Sequence, residues 1–226
     1  MTIGQNQEAS TPTRTKAILT PYDYCEQLEM IEIQGRRLYG QQYSIEEIDR
    51  APILKLLCYF LRDEAVAIHQ GIDLNKGLLL TGPIGCGKTA VMNVLCSLCQ
   101  GLGKPSVIKC RELSFEFSEQ GYEVIKKYSK QAYHRYSGLP FRSQTICFDD
   151  LGLEPQASYW GNHCQIMAEI LLSRYDLFVE DGMITHVTTN LNTKELEEVY
   201  GNRIRSRFRQ MFNLVSFDSS SRDKRR

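Results

Sequence analysis

No run of apolar residues in the chain approaches the roughly 18 needed to cross a bilayer, so the sequence offers no membrane-spanning helix. No surplus of charge remains either, since Lys and Arg number 27 and Asp and Glu also number 27. Contact with nucleic acid must then come from a local patch rather than from attraction by the whole molecule. Metal-ligand spacing is missing although cysteine is not. Of eight cysteines only Cys96 and Cys99 form a C-x-x-C, with no second pair or histidine at a matching interval. Both fall on the apolar side of helical text, where a thiol packs as a small core residue. No signal peptide is visible, and free thiols without one point to a reducing compartment, so the expected location is cytoplasmic. No internal repeat is visible. The 226 residues leave room for one α/β domain of ordinary size and a small extension.

What is present is more specific. Gly82-Pro83-Ile84-Gly85-Cys86-Gly87-Lys88-Thr89 fits the phosphate-binding pattern G-x-x-x-x-G-K-[ST] at every position. The apolar stretch Gly77-Leu78-Leu79-Leu80-Thr81 enters it as a strand, and Ala90 to Leu98 leaves it as a helix. That setting lets backbone N–H groups from Gly82 through Ala90 curl into an anion nest at a helix N-terminus. Lys88 then reaches the β- and γ-phosphates, and the Thr89 hydroxyl becomes a Mg2+ ligand. The motif predicts a nucleoside triphosphate site with ATP and Mg2+ as its occupants. Cys86 lies near Lys88 and a helix N-terminus, surroundings that favour a reactive thiol. Its alkylation is expected to block the site unless the thiol is inert.

Taken in order, residues 1–20 are polar and read as a disordered tail. Residues 21–70 read as a helical extension, available for docking a partner or for simple packing. Within it, Ser44-Ile45-Glu46-Glu47 reads as a capping box with Tyr43 and Ile48 as its hydrophobic staple. The apolar run Ile53–Ile68 ends at Gly71, a plausible C-cap. From 71 to 218 strands alternate with helices. Further strands are expected at Pro105–Cys110, Gln144–Asp150, Ile184–Asn190 and Met211–Phe217, with helical text at 111–136, 158–180 and 192–209. This alternation predicts an α/β fold with a mostly parallel, covered sheet. Residues 219–226 read as a loose basic tail able to brush phosphate.

Two acids, Asp149 and Asp150, end the strand at 144–150, at the edge where ligand chemistry gathers in open α/β sheets. Asp149 is placed to hold Mg2+ and Asp150 to orient or deprotonate an attacking water. Asn190 closes the next strand and is placed to hydrogen-bond a γ-phosphate or its water. Arg203 and Arg207, at i and i+4, share a helix face. They serve either a neighbouring site or a basic helix facing solvent or nucleic acid. A separate basic stretch holds Lys126, Lys127, Lys130, Arg135 and Arg142, interleaved with Tyr128, Tyr133 and Tyr136. Cations along a backbone path with aromatic faces suit single-stranded DNA better than duplex. The other reading is a solvated helix whose tyrosines pack inward.

Together Gly82–Thr89, Asp149-Asp150-Leu151-Gly152, Arg174-Tyr175, Thr188-Thr189-Asn190 and the Tyr200-to-Phe208 arginine motif resemble the AAA+ ATPases of the helicase-loader clade. That clade includes the DnaC and DnaI loaders and the IstB transposition helpers. The resemblance spans roughly residues 71–218. It implies a P-loop NTPase of AAA+ type with a five-stranded parallel sheet in the order 5-1-4-3-2 and no C-terminal lid domain. It also implies ATP-dependent homo-oligomers in which Arg207 or Arg203 completes the neighbour's site. The expected partners are DNA and a replicative helicase or, in the IstB variant, a transposase. A nucleotide-dependent scaffold with incidental hydrolysis is the third expectation.

Overall fold

The computed structural model describes residues 20–134, 142–155, 157–159 and 162–224. Nearly all of the expected tail 1–20, together with Arg135, Tyr136, Arg225 and Arg226, lies outside the described residues. Three helices come first: α1 (Tyr24–Tyr39), α2 (Arg50–Phe60) and α3 (Glu64–Gln70). There follow β1 (Gly77–Thr81), α4 (Lys88–Leu98), β2 (Ser106–Lys109), α5 (Cys110–Gln120) and α6 (Glu123–Lys127). A short antiparallel pair, β3 (Tyr133–His134) and β4 (Arg142–Ser143), precedes β5 (Ile146–Leu151). A second pair, β6 (Ala157–Tyr159) and β7 (Asn162–Cys164), precedes α7 (Ile166–Asp181), β8 (Thr185–Thr189), α8 (Thr193–Met211) and β9 (Phe212–Ser216).

The main sheet has five strands in the order β2-β5-β8-β1-β9, and every pairing is parallel. Counting only these strands along the chain, the order from the β9 edge is 5-1-4-3-2, as expected. Alternation along β1 divides its leucines between the two faces. Leu78 and Leu80 pack with Ile53, Leu56, Met92 and Leu95 from α2 and α4, whereas Leu79 packs with Phe117, Phe148, Ile170 and Phe208 on the other face. Gly77 must be glycine, because a Cβ there would sit 1.6 Å from the Thr185 carbonyl. Local chemistry sets the ends. Asp23 caps α1 by accepting from Cys25 N, and Asn192 and Glu195 form a reciprocal box at α8.

The structure departs from four expectations about elements. Ser44 caps nothing. Residues 43–46 form no helical turn; Ile45 N donates to Glu32 Oε1 (2.9 Å), and the Tyr43 ring fills the space a Cβ would take on Gly35. The apolar run 53–68 breaks into α2 and α3, with Asp63 capping the second by accepting from Val66 N. Helical text at 111–136 stops at Gly121 (φ 62°) and again after Lys127, and the β6–β7 pair takes the start of 158–180. Finally, the chain after β9 is not loose. Lys224 N donates to Gly85 O at 3.0 Å.

Candidate phosphate-binding site

The loop between β1 and α4 turns through glycines at positive φ, 84° at Gly85 and 97° at Gly87, a region that side chains resist. Gly87 is the N-cap of α4, so the free N–H groups of that helix open toward the loop. Lys88, only 4 % exposed, folds back over the loop and donates to Gly82 O (2.8 Å) and Pro83 O (2.9 Å). The same ammonium donates to Asn190 Oδ1 at 2.8 Å, which ties the loop to the end of β8. Ile84 points outward at 64 % exposure. The Cys86 thiol is buried in the core below the loop, 3.6 Å from Lys88 Nζ. Cys86 therefore offers backbone to the site, and its thiol is screened from alkylating reagents.

Asp149, 1 % exposed, receives two hydroxyls on one oxygen. Thr89 Oγ1 donates to Oδ1 at 2.8 Å and Thr188 Oγ1 at 2.6 Å. Thr188 Oγ1 in turn accepts from Asp150 N at 3.0 Å. Asp150 has φ 57°, a conformation uncommon outside glycine, at a point where the β5–β8 register shifts. The irregularity sets the two carboxylates on different courses. Asp149 stays in the sheet under Thr89, and Asp150 is part-exposed at the rim.

These groups face one cleft of about 910 Å³. Its lining includes Gly85 to Ala90, Asp149, Asp150 and Asn190, together with Tyr43 to Glu46 and Arg222 to Lys224. The residues fit a magnesium–triphosphate pair. Hydroxyl and carboxylate are hard oxygen donors suited to Mg2+, and they already meet at Thr89 and Asp149. A helix N-terminus and a buried lysine suit phosphate. Among the described residues no cluster of three or more His, Cys, Asp or Glu forms a metal site, and all eight cysteines are free.

Arg203 and Arg207 stand apart from this cleft, on α8 beyond a kink at Gly201 (φ 81°). They are not alike. The Arg207 guanidinium lies 4.9 Å from the Tyr175 ring centre and donates to Arg203 O (3.2 Å), whereas Arg203 is exposed and in no ion pair among the described residues. Tyr200, just before the kink, donates its hydroxyl to Glu154, which also accepts from Gly152 N (2.8 Å) behind the acid pair.

The basic stretch is more neutralised than its sequence suggests. Lys126 pairs with Glu123 (2.6 Å) and Lys127 with Glu116 (2.5 Å), while Lys130 is exposed. Tyr128 donates to Glu116 (2.8 Å) and Tyr133 to Asp181 (2.7 Å), so both hydroxyls are engaged. Arg174 was named in the sequence only as part of the motif, yet it anchors this region. Wholly buried, it donates to Thr185 Oγ1 (2.7 Å) and to the carbonyls of Tyr128, Gln144 and Ile184. Burial lowers its guanidinium to about 9, which leaves it charged at neutral pH. In the sequence Thr188 stands out only within the Thr188-Thr189-Asn190 motif, and 222–224 only as part of a basic tail, with no partner assigned to either. A strand threonine and a basic tail are common, and only folding shows what they touch.

A five-stranded parallel sheet in this order, with a phosphate-loop motif after its first strand and an acid pair near the end of its third, is the P-loop fold in its AAA+ arrangement. The same fold occurs in the DnaC helicase loader, at TM-score 0.51 and 19 % identity over 81 % of this chain and 99 % of that one. DnaI matches at TM-score 0.51 and 21 % identity, covering 77 % and 88 % of the two chains. A DNA replication initiation factor matches at 0.51 and 13 %, over 78 % of this chain and 48 % of its own. No family model and no curated protein matches the sequence.

Proposed function

We propose that the chain is a Mg2+-dependent ATPase that assembles with further copies of itself on DNA and acts on a replicative helicase as a loader. The observation that carries the nucleotide reading is the meeting of Lys88, Thr89, Asp149 and Asn190, from three separate elements, at one edge of the cleft. The N–H groups from Gly85 to Ala90 cradle phosphate oxygens, and Lys88 supplies a point charge to the β- and γ-phosphates. Thr89 and Asp149 would hold Mg2+, which would supply positive charge beside the phosphoryl oxygens. Asp150 orients the attacking water and accepts its proton, and Asn190 holds the γ-phosphate or that water in place. Of the two arginines, Arg203 is the one offered to the neighbouring copy, because Arg207 is engaged on Tyr175.

The loader role is supported by similarity of fold to the DnaC helicase loader and to DnaI. Residues 21–70 are the partner-docking part, and Lys126, Lys127 and Lys130 the DNA-facing part. No helix among the described residues is long and apolar enough to cross a membrane. Calorimetric titration tests the core of the reading. Lys88→Ala loses ATP binding, and Asp150→Asn binds ATP as tightly as wild type while its turnover falls about 10²–10⁴-fold. Wild-type affinity in the first variant, or wild-type turnover in the second, removes the assigned role. Co-purification with helicase rather than transposase separates the loader reading from a transposition helper. DNA-stimulated turnover separates it from a passive scaffold.

A further inference from the structure

The segment after β9 crosses the phosphate loop. Phe217 N donates to Thr81 O (2.8 Å), Ser221 N closes a turn on Asp218 O (3.1 Å), and Lys224 N reaches Gly85 O (3.0 Å). Its side chains hold it there. Ser221 Oγ donates to Asp49 Oδ1 (3.1 Å), and the Lys224 ammonium pairs with Asp49 Oδ2. Asp49 is completely buried at the start of α2, so the anchor comes from the helical extension and not from the sheet. The segment lies against two of the loop's positive-φ glycines, Gly85 and Gly87. A Cβ on Gly85 would be 2.2 Å from Asp223 Oδ1, and one on Gly87 would be 3.9 Å from Lys224 Nζ. Lys224 lines the same cleft as Lys88 and Thr89.

The geometry points to Lys224 as a second cation of the nucleotide site, one that exchanges its ionic partner between Asp49 and a phosphate group in the cleft. This rests on the reading of the cleft as a triphosphate site. Gly87 opens the N-terminus of α4, where an anion is favoured by the helix dipole and free N–H groups. An anion seated there brings its charge within reach of an ammonium that already lies beside Gly87. The lysine has room to respond. Its side chain is 25 % exposed while Asp49 is fully enclosed, and its backbone stays pinned to Gly85 as its flexible stem turns. Asp49 is then a competitor for Lys224, and Ser221 keeps the buried carboxylate partnered when the lysine leaves.

A competitor and a ligand predict opposite signs, which a merely structural strap does not. In calorimetric titrations of the full chain with ATP, ADP and AMP, Lys224→Gln weakens ATP about tenfold and AMP least, because the contact is to phosphate charge. Lys224→Arg restores most of the affinity, and Asp49→Asn tightens ATP severalfold by freeing the lysine. The double variant Asp49→Asn/Lys224→Gln leaves no uncompensated buried charge and binds ATP like Lys224→Gln alone. Unchanged ATP affinity in Lys224→Gln, an equal loss for all three nucleotides, or weaker ATP binding in Asp49→Asn overturns the assignment. Lys88→Ala keeps the two questions apart. ATP binding retained in Lys88→Ala means the cleft is not a triphosphate site, whereas its loss beside a silent Lys224→Gln removes Lys224 alone.

Discussion

Arg203→Ala is the substitution that most directly probes assembly. Arg203 is exposed, makes no ion pair among the described residues and stands outside its own cleft, so its removal leaves folding and nucleotide binding intact. A guanidinium delivered between subunits is worth roughly 10³–10⁵ in turnover. At about 1.36 kcal/mol per decade, that is roughly 4–7 kcal/mol of transition-state stabilisation. Arg207→Ala acts on a different quantity. It removes a partly exposed cation from the Tyr175 face, a loss of about 0.5–1 kcal/mol, which lowers Tm by a few degrees. The assay is steady-state phosphate release with protein well above its assembly concentration, beside a thermal melt. Mixing Arg203→Ala with Lys88→Ala protein regains turnover, because each supplies what the other has lost. Unimpaired turnover in Arg203→Ala, or no recovery on mixing, refutes the reasoning, and a turnover collapse confined to Arg207→Ala means the stacked arginine leaves Tyr175 to do the work.

Two further outcomes concern the sheet. Arg174→Met strips partners from Thr185 Oγ1 and three part-buried carbonyls, a loss of about 2–5 kcal/mol that lowers Tm by roughly 5–15 °C. A melt within 2 °C of wild type means the carbonyls find other donors. His186 is buried with Nδ1 accepting from Leu78 N (3.1 Å), and burial, followed by the Arg174 charge, lowers its pKa to about 3. The unfolded chain therefore binds the extra proton between pH 6.5 and 3. The His186 contribution is complete above pH 6.5 and is lost as pH falls, by about 1.4 kcal/mol per unit. His186→Asn keeps an acceptor for Leu78 N and flattens the pH dependence of the urea midpoint across pH 7 to 4. An unchanged slope assigns that dependence to other groups.

The phosphate loop, the acid pair and the five strands were legible because each is a contiguous pattern. Glycines, an apolar strand and a helix start lie side by side in the text, and their chemistry is local. Strand neighbours were legible only through resemblance to a family, since alternation along β1 and β9 says nothing of their pairing. The helix end at Gly71 follows from a residue that tolerates αL. The capping box at Ser44 failed because the helical turn begins only at Glu47, after Glu46, and Glu32 on α1 holds the Ile45 N–H from outside.

The sequence by itself determined a glycine-rich strand–loop–helix of the phosphate-loop pattern on a covered parallel sheet, because backbone conformation and period are written residue by residue. Only the tertiary structure decided which charges are spoken for. Glu116 takes Lys127, Tyr175 takes Arg207 and Asp49 takes Lys224, although partners such as Asp49 and Lys224 are separated by more than half the chain. An ion pair acts through space, and distance in space is set by packing rather than by order along the chain.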